Sequence, residues 1–140
     1  MAGAKLPGLA ERRATIGGLP LRYFVGGQGP PIVLVHGLGG AAGNWVEIAP
    51  VLARGCRVLC PDLPGHGGSS PLPGASLPAL AEVVGALAEE EGMLPAVVVG
   101  HSLGGVVALW LAAQRPDRVR GIVLAGAATL GARPLAARAL

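Results

Sequence analysis

Aromatic residues are nearly absent from this chain: two tryptophans, one tyrosine and one phenylalanine make up 3% of 140 residues. A core here has to be aliphatic, built from Val, Leu, Ile and Ala. Charge is also sparse, at 14% of residues, against 51% hydrophobic. That balance excludes a disordered chain. The arginines are scattered and are not interleaved with aromatics, so there is no footprint of a nucleic-acid-binding protein. Only two cysteines are present, Cys56 and Cys60. Both fall in one expected strand, and four extended residues hold them roughly 13 Å apart, beyond the reach of a disulfide. They read as free thiols in a reducing, cytoplasmic setting. With no further ligand nearby, they make a poor metal site. Residues 1–13 contain no apolar run of the secretory type. The apolar stretch 94–113 is broken by Gly100, His101, Ser102, Gly104 and Gly105, which argues against a membrane span.

What is present is a repeated alternation of buried strand and helix. Residues 1–13 are expected to form a flexible leader, and 14–140 the domain. Residues 14–25 alternate around Gly17-Gly18-Leu19-Pro20 and predict a hairpin. Ile32-Val33-Leu34-Val35 is a continuous apolar run, as in a strand covered on both faces. An irregular helix is expected over 44–53, interrupted by Pro50. A second buried strand covers 56–60. Ser76 is placed to cap a helix running to about Glu91, with Leu77, Leu80, Val84 and Leu87 on one face and Gly92 as its stop. Glu89, Glu90 and Glu91 are expected to lie on a solvated face. Val97-Val98-Val99 is the third buried strand. A helix almost apolar all round runs from Ser102 to about Gln114 and ends at Pro116. Gly121-Ile122-Val123-Leu124 is the fourth. This order predicts an α/β fold: a predominantly parallel sheet with an N-terminal β-hairpin and helices on both faces.

The chemistry concentrates in Gly100-His101-Ser102-Leu103-Gly104-Gly105. A serine flanked two residues away on each side by glycine, after a strand and before a helix, has the pattern of a nucleophile elbow. The tight turn strains the serine backbone, and neighbouring chain passes too close for side chains at Gly100 and Gly104. Ser102 Oγ is then presented at a helix N-terminus, where the Leu103 N–H and the helix dipole favour developing negative charge. Two further motifs each follow a buried strand: His36-Gly37-Leu38-Gly39 and Asp62-Leu63-Pro64-Gly65-His66-Gly67. In this order and spacing the three resemble the α/β-hydrolase fold family, of the single-domain serine esterase and peptidase kind, over roughly residues 21–130. The resemblance implies Ser102 as nucleophile and the backbone N–H groups of Leu38 and Leu103 as oxyanion hole. It also implies a small ester- or amide-like substrate and no cofactor, with Asp62, Gly65 and His66 shaping the loop beside the site. Serine at the elbow departs from the related dehalogenase pattern, which uses aspartate.

One departure matters for activity. The family's order is Ser, then Asp or Glu, then His. After Ser102 the sequence has one acidic residue, Asp117, and no histidine. Asp117 follows a helix of about twelve residues, roughly 18 Å long, which puts it at the wrong end of the sheet. His36, His66 and His101 all precede the serine, and His66 is the least unfavourable stand-in for a base. The sequence therefore resembles the N-terminal part of a hydrolase, truncated after the strand at 121–124 and lacking a recognisable catalytic acid and histidine. Strand 121–124 would then be an exposed apolar edge, open to self-association or to a complementing chain. Two alternatives stand beside this reading. One is a non-catalytic or partner-complemented fragment. The other is a dinucleotide-binding domain, because Gly37-Leu38-Gly39-Gly40-Ala41-Ala42 fits G-x-G-x-x-A and Asp62 follows about twenty residues on.

Overall fold

The computed structural model describes residues 5–126. Six strands form one sheet: β1 (Ala10–Ile16), β2 (Leu19–Gly26), β3 (Pro31–Val35), β4 (Arg57–Pro61), β5 (Ala96–His101) and β6 (Val119–Ala125). Their order across the sheet is β1-β2-β4-β3-β5-β6. The hairpin β1–β2 is antiparallel and β2 joins β4 antiparallel, while β4, β3, β5 and β6 run parallel to one another. The expected α/β architecture is present.

The inner parallel strands β3, β4 and β5 are largely apolar because helices cover both faces. On one face lie α2 (Leu77–Glu90) and α3 (Leu103–Gln114), which contribute Val84, Leu87, Val107 and Leu111 to a core shared with Val33, Val35, Leu59 and Val98. Gly85 lets α2 come close to Leu111 of α3, since an added Cβ would lie 2.8 Å from its side chain. On the other face a 3-10 turn (Ala42–Trp45) and the short α1 (Ala49–Leu52) cover Phe24, Leu34, Val58 and Cys60. Pro50 stands in the first turn of α1 and cannot continue a helix from the preceding residues, so the irregular helix expected over 44–53 divides into a 3-10 turn and α1. Ser76 caps α2 by accepting the Ala79 N–H, and Gly92 follows the helix at φ +68, as its sequence position requires.

Three expectations need correction. The leader expected over 1–13 does not extend through those residues: Leu6 is buried among Phe24, Leu34 and Trp45, and β1 already begins at Ala10. Residues Glu11, Arg12 and Arg13 do not alternate in polarity, and their strand is formed by pairing with β2 instead. Cys56 stands just before β4, not within it. Glu91 does not lie on a solvated face. Its carboxylate accepts from Arg12, Arg57 and the Tyr23 hydroxyl, pinning the end of α2 to β1, β2 and β4. Burial, followed by that bond to Glu91, pushes the Tyr23 phenol up to about 12.

The loop after β4 is organised by Asp62, which is fully buried. Its carboxylate takes the Arg22 Nε–H at 2.7 Å, the Ala42 N–H at 2.8 Å and the Gly68 N–H at 2.8 Å. Ser69 Oγ donates to the Asp62 carbonyl and accepts the Arg22 N–H. One residue thus joins β2, the turn before α1 and the 62–69 loop. Removing one partner of such a pair strands a buried charge and two N–H groups. Asp62→Ala is expected to lower stability by about 3–5 kcal/mol, read by urea unfolding. Glu11→Ala, which removes a half-exposed partner of the same arginine, is expected to change it by under about 1 kcal/mol.

Candidate active site

The carboxyl ends of β3 and β5 lie side by side, with Val35 opposite Gly100. Their following loops meet above that edge, where ligands collect in open α/β sheets. Ser102 stands at the junction of β5 and α3 with φ +52 and ψ −118, a conformation that non-glycine residues rarely adopt. Two close approaches hold it there. A Cβ at Gly100 would enter the backbone of Gly104 and Gly105, and a Cβ at Gly104 would enter the carbonyls of Val35 and His36. The first turn of α3 is therefore jammed onto the end of β3, and the serine is turned outward. Leu103 is the first residue of α3, so its N–H has no partner within the helix. Its side chain packs against the core.

Ser102 opens onto a cavity of about 560 Å³ whose lining also includes Gly37, Leu38, Trp45, Ile48 and His101. Leu38 and Ser102 thus share one cavity, although their segments are far apart in sequence. Gly37 lies against Ser102, where an added Cβ would be 3.0 Å from the serine Cβ. Leu38 is 79% exposed, so its side chain contributes little to holding the loop. The loop is held by polar contacts instead. Gly40 N–H donates to Gly37 O, Ala41 N–H donates to Asn44 Oδ1, and Gly39 N–H donates to His66 Nε2.

The histidines divide by role. His36 is buried, and its Nε2 accepts the Leu63 N–H, so its proton sits on Nδ1 and is donated to Gly37 O at 2.7 Å. Burial moves its pKa below the ordinary 6.5, aided by His66 and opposed by Gly37 O and Asp62. His66 has both nitrogens engaged, Nε2 with Gly39 and Nδ1 with Pro64 O. It is therefore not free to act as the stand-in base. His101 is exposed and lines the cavity beside Ser102. Among the described residues, no hydrogen bond engages Ser102 Oγ. Asp117 lies in a 3-10 turn beyond the far end of α3, as its position predicts. The Arg22–Asp62 and His66–Gly39 contacts have no local sequence signal, because their partners lie 40 and 27 residues apart.

The geometry does not suit a dinucleotide. Asp62 is buried with its carboxylate on Arg22, Ala42 and Gly68, out of reach of a ribose at the surface. The glycine segment runs into a 3-10 turn of four residues instead of a helix long enough to cradle a pyrophosphate. Among the described residues, no group of three or more His, Cys, Asp or Glu is placed to hold a metal ion, and no helix is long and apolar enough to cross a membrane.

Comparison with known proteins places this geometry. Residues 30–137 match the family model of the alpha/beta hydrolase fold. The chain is 44% identical over 127 residues to the dihydrolipoyllysine-residue acetyltransferase component of the acetoin cleaving system of Pseudomonas putida, covering 89% of this chain and 34% of that protein. It is 37% identical to an sn-1-specific diacylglycerol lipase of Mus musculus, covering 89% and 42%. Its fold superposes on the epoxide hydrolase CorEH with a TM-score of 0.80 and 31% identity, covering 83% of this chain and 41% of the other. The chain thus spans between a third and a half of the length of these relatives.

Two measurements test the site's physics. At an ordinary position alanine is more stable than glycine. At Ser102, with φ +52, the sign is expected to invert. Ser102→Gly should be more stable than Ser102→Ala by about 1 kcal/mol or more, read from unfolding midpoints. His36 has a depressed folded-state pKa, so the unfolded chain binds the proton more readily. Its contribution to stability is complete above the unfolded value near 6.5 and is lost as pH falls below it. His36→Gln, which keeps an acceptor for the Leu63 N–H but cannot titrate, is expected to flatten that acid loss in urea unfolding.

Proposed function

Because the chain belongs to the α/β-hydrolase fold family, we propose that it carries the nucleophile-bearing part of a serine hydrolase acting on a small ester-, thioester- or amide-like substrate. Ser102 Oγ adds to the substrate carbonyl carbon and gives its proton to a base. The carbonyl oxygen becomes an oxyanion between the Leu38 and Leu103 N–H groups, at the positive end of α3. The bond to the leaving group then breaks, the leaving group takes the proton, and an acyl ester of Ser102 remains. Water adds to that ester and gives a proton to the base, the bond to Oγ breaks, Oγ takes the proton back, and the acid leaves. One observation carries the reading: a strained serine at a helix N-terminus opens onto the same cavity as the Gly37–Leu38 loop. The relatives named above act on acyl groups in two cases, which supports the acyl class without choosing a substrate.

The base and its acid come from outside these 140 residues in this reading. A serine without a positioned base is a weak nucleophile. His36 and His66 have both ring nitrogens engaged, His101 is the chain neighbour of Ser102 and consecutive residues of the elbow point in different directions, and Asp117 lies beyond the far end of α3. Among the described strands, β6 has no neighbour on its outer edge, and it exposes Val123 at 51%, with Trp110 of α3 at 40%. We take this apolar edge as the place where further polypeptide adds to the sheet. In its absence a second copy of the chain is expected to do so.

A fluorophosphonate probe tests the nucleophile. Labelling of the 140-residue chain is expected to be abolished by Ser102→Ala. It is also expected to be slower, by about 10²–10⁴-fold, than that of a full-length relative whose serine faces a base. Labelling that persists in Ser102→Ala would overturn the assignment. For the edge, sedimentation velocity is expected to find species larger than a monomer, and Val123→Lys to shift them toward the monomer. A monodisperse monomer of the unaltered chain would count against the edge contact.

A further inference from the structure

We propose that His66 is a positioning residue for the loop that carries Leu38, and that it acts only as the neutral imidazole with its proton on Nδ1. This deepens the reading above, since it gives the Leu38 N–H its orientation. The loop from Gly37 to Gly40 has no apolar anchor of its own: Leu38 is exposed, and its neighbours are glycines. Gly39 has φ +76, so the tip of the loop has a conformation that glycine adopts without strain but does not enforce. Beside the Gly40–Gly37 turn bond, three side-chain contacts replace the missing packing. His36 Nδ1–H holds Gly37 O at the start, and Asn44 Oδ1 holds the Ala41 N–H at the end. Between them, beside Leu38, the contact is the Gly39 N–H donated to His66 Nε2 at 3.1 Å.

That contact dictates a tautomer. An imidazole nitrogen that accepts a hydrogen bond carries no proton, so the His66 proton must sit on Nδ1. There it faces Pro64 O at 3.1 Å, which fixes the ring plane. The His36 ring packs against it with centroids 5.1 Å apart. A proton added to Nε2 would set an N–H donor against the Gly39 N–H and release the tip of the loop. The titratable group against this ring is His36. Asp62, on the same loop, has its carboxylate committed to Arg22, Ala42 and Gly68. Through this device the 62–69 loop, which supplies no reacting group, sets the geometry of the segment opposite Ser102.

The test reads the loop and not turnover. Long-range proton–nitrogen NMR of the unaltered chain is expected to show His66 as the Nδ1–H tautomer, with the Gly39 amide protected from exchange. The Nε2–H tautomer at neutral pH would overturn the proposal. His66→Ala is expected to reduce Gly39 protection by about tenfold, while the amides of β3 and β5 keep theirs. In His66→Gln, the Oε1 atom stands near the place of Nε2 and is expected to restore the protection. Unchanged Gly39 protection in His66→Ala would also overturn the proposal. Ser102→Ala is expected to leave all of these readings as they are, so a failure of the serine chemistry and a failure of the latch are separate results.

Discussion

The architecture around the site depends on one buried carboxylate. Asp62 is fully buried, and its partners come from three segments, two of them distant in sequence: Arg22 in β2, Ala42 before α1, and Gly68 in its own loop. A buried charge tolerates few alternatives, because any arrangement that loses a partner exposes the desolvation penalty of the rest. The ion pair therefore selects among loop conformations more than it adds to stability. It draws the 62–69 loop down onto the sheet, and that places His66 beside the Gly37–Gly40 segment. Arg22 is itself sandwiched, with its guanidinium 5.6 Å from the centre of the Phe24 ring.

A second constraint is steric and lies at the crossing of β3, β5 and α3. Gly100 and Gly104 allow three backbones to touch, and the contact they permit is what forces Ser102 out of ordinary dihedral space. Packing of α3 against both its own strand and β3 overdetermines that strain, as strained residues require. The two constraints act on opposite walls of one cavity. Sterics fix the serine side, and hydrogen bonds fix the glycine loop side. A site built this way is rigid under the serine and adjustable across from it.

Most of what is local was legible in the sequence. The buried strands around Val33 and Val98 announce themselves by unbroken apolar runs, α2 by its Ser76 cap and Gly92 stop, and the elbow by glycine spacing that encodes a steric need. What depends on chain meeting chain was not. Glu11, Arg12 and Arg13 look like leader, and become a strand only because β2 offers them a partner. Glu91 looks like part of a solvated acidic run, yet it accepts from a tyrosine and two arginines belonging to three different strands. His66 reads as a poor base, and its actual contact is an amide 27 residues away. The cavity itself needs both loops in place and has no signature in either.

The junction at Glu91 makes the molecule self-reporting. The chain contains one tyrosine, so the ultraviolet signal of phenolate formation comes from a single address. Burial and the bond to Glu91 push that phenol's pKa up to about 12 in the folded protein, while an unfolded tyrosine ionises near 10. Between those values the phenol prefers the unfolded chain as its place to ionise, and alkali acts as a wedge at this corner of the sheet. Stability from this group is whole below the lower value and drains away as pH climbs toward the upper one. Phenolate absorbance near the lower value is therefore expected to come from molecules in which the Tyr23–Glu91 contact at the end of α2 has opened.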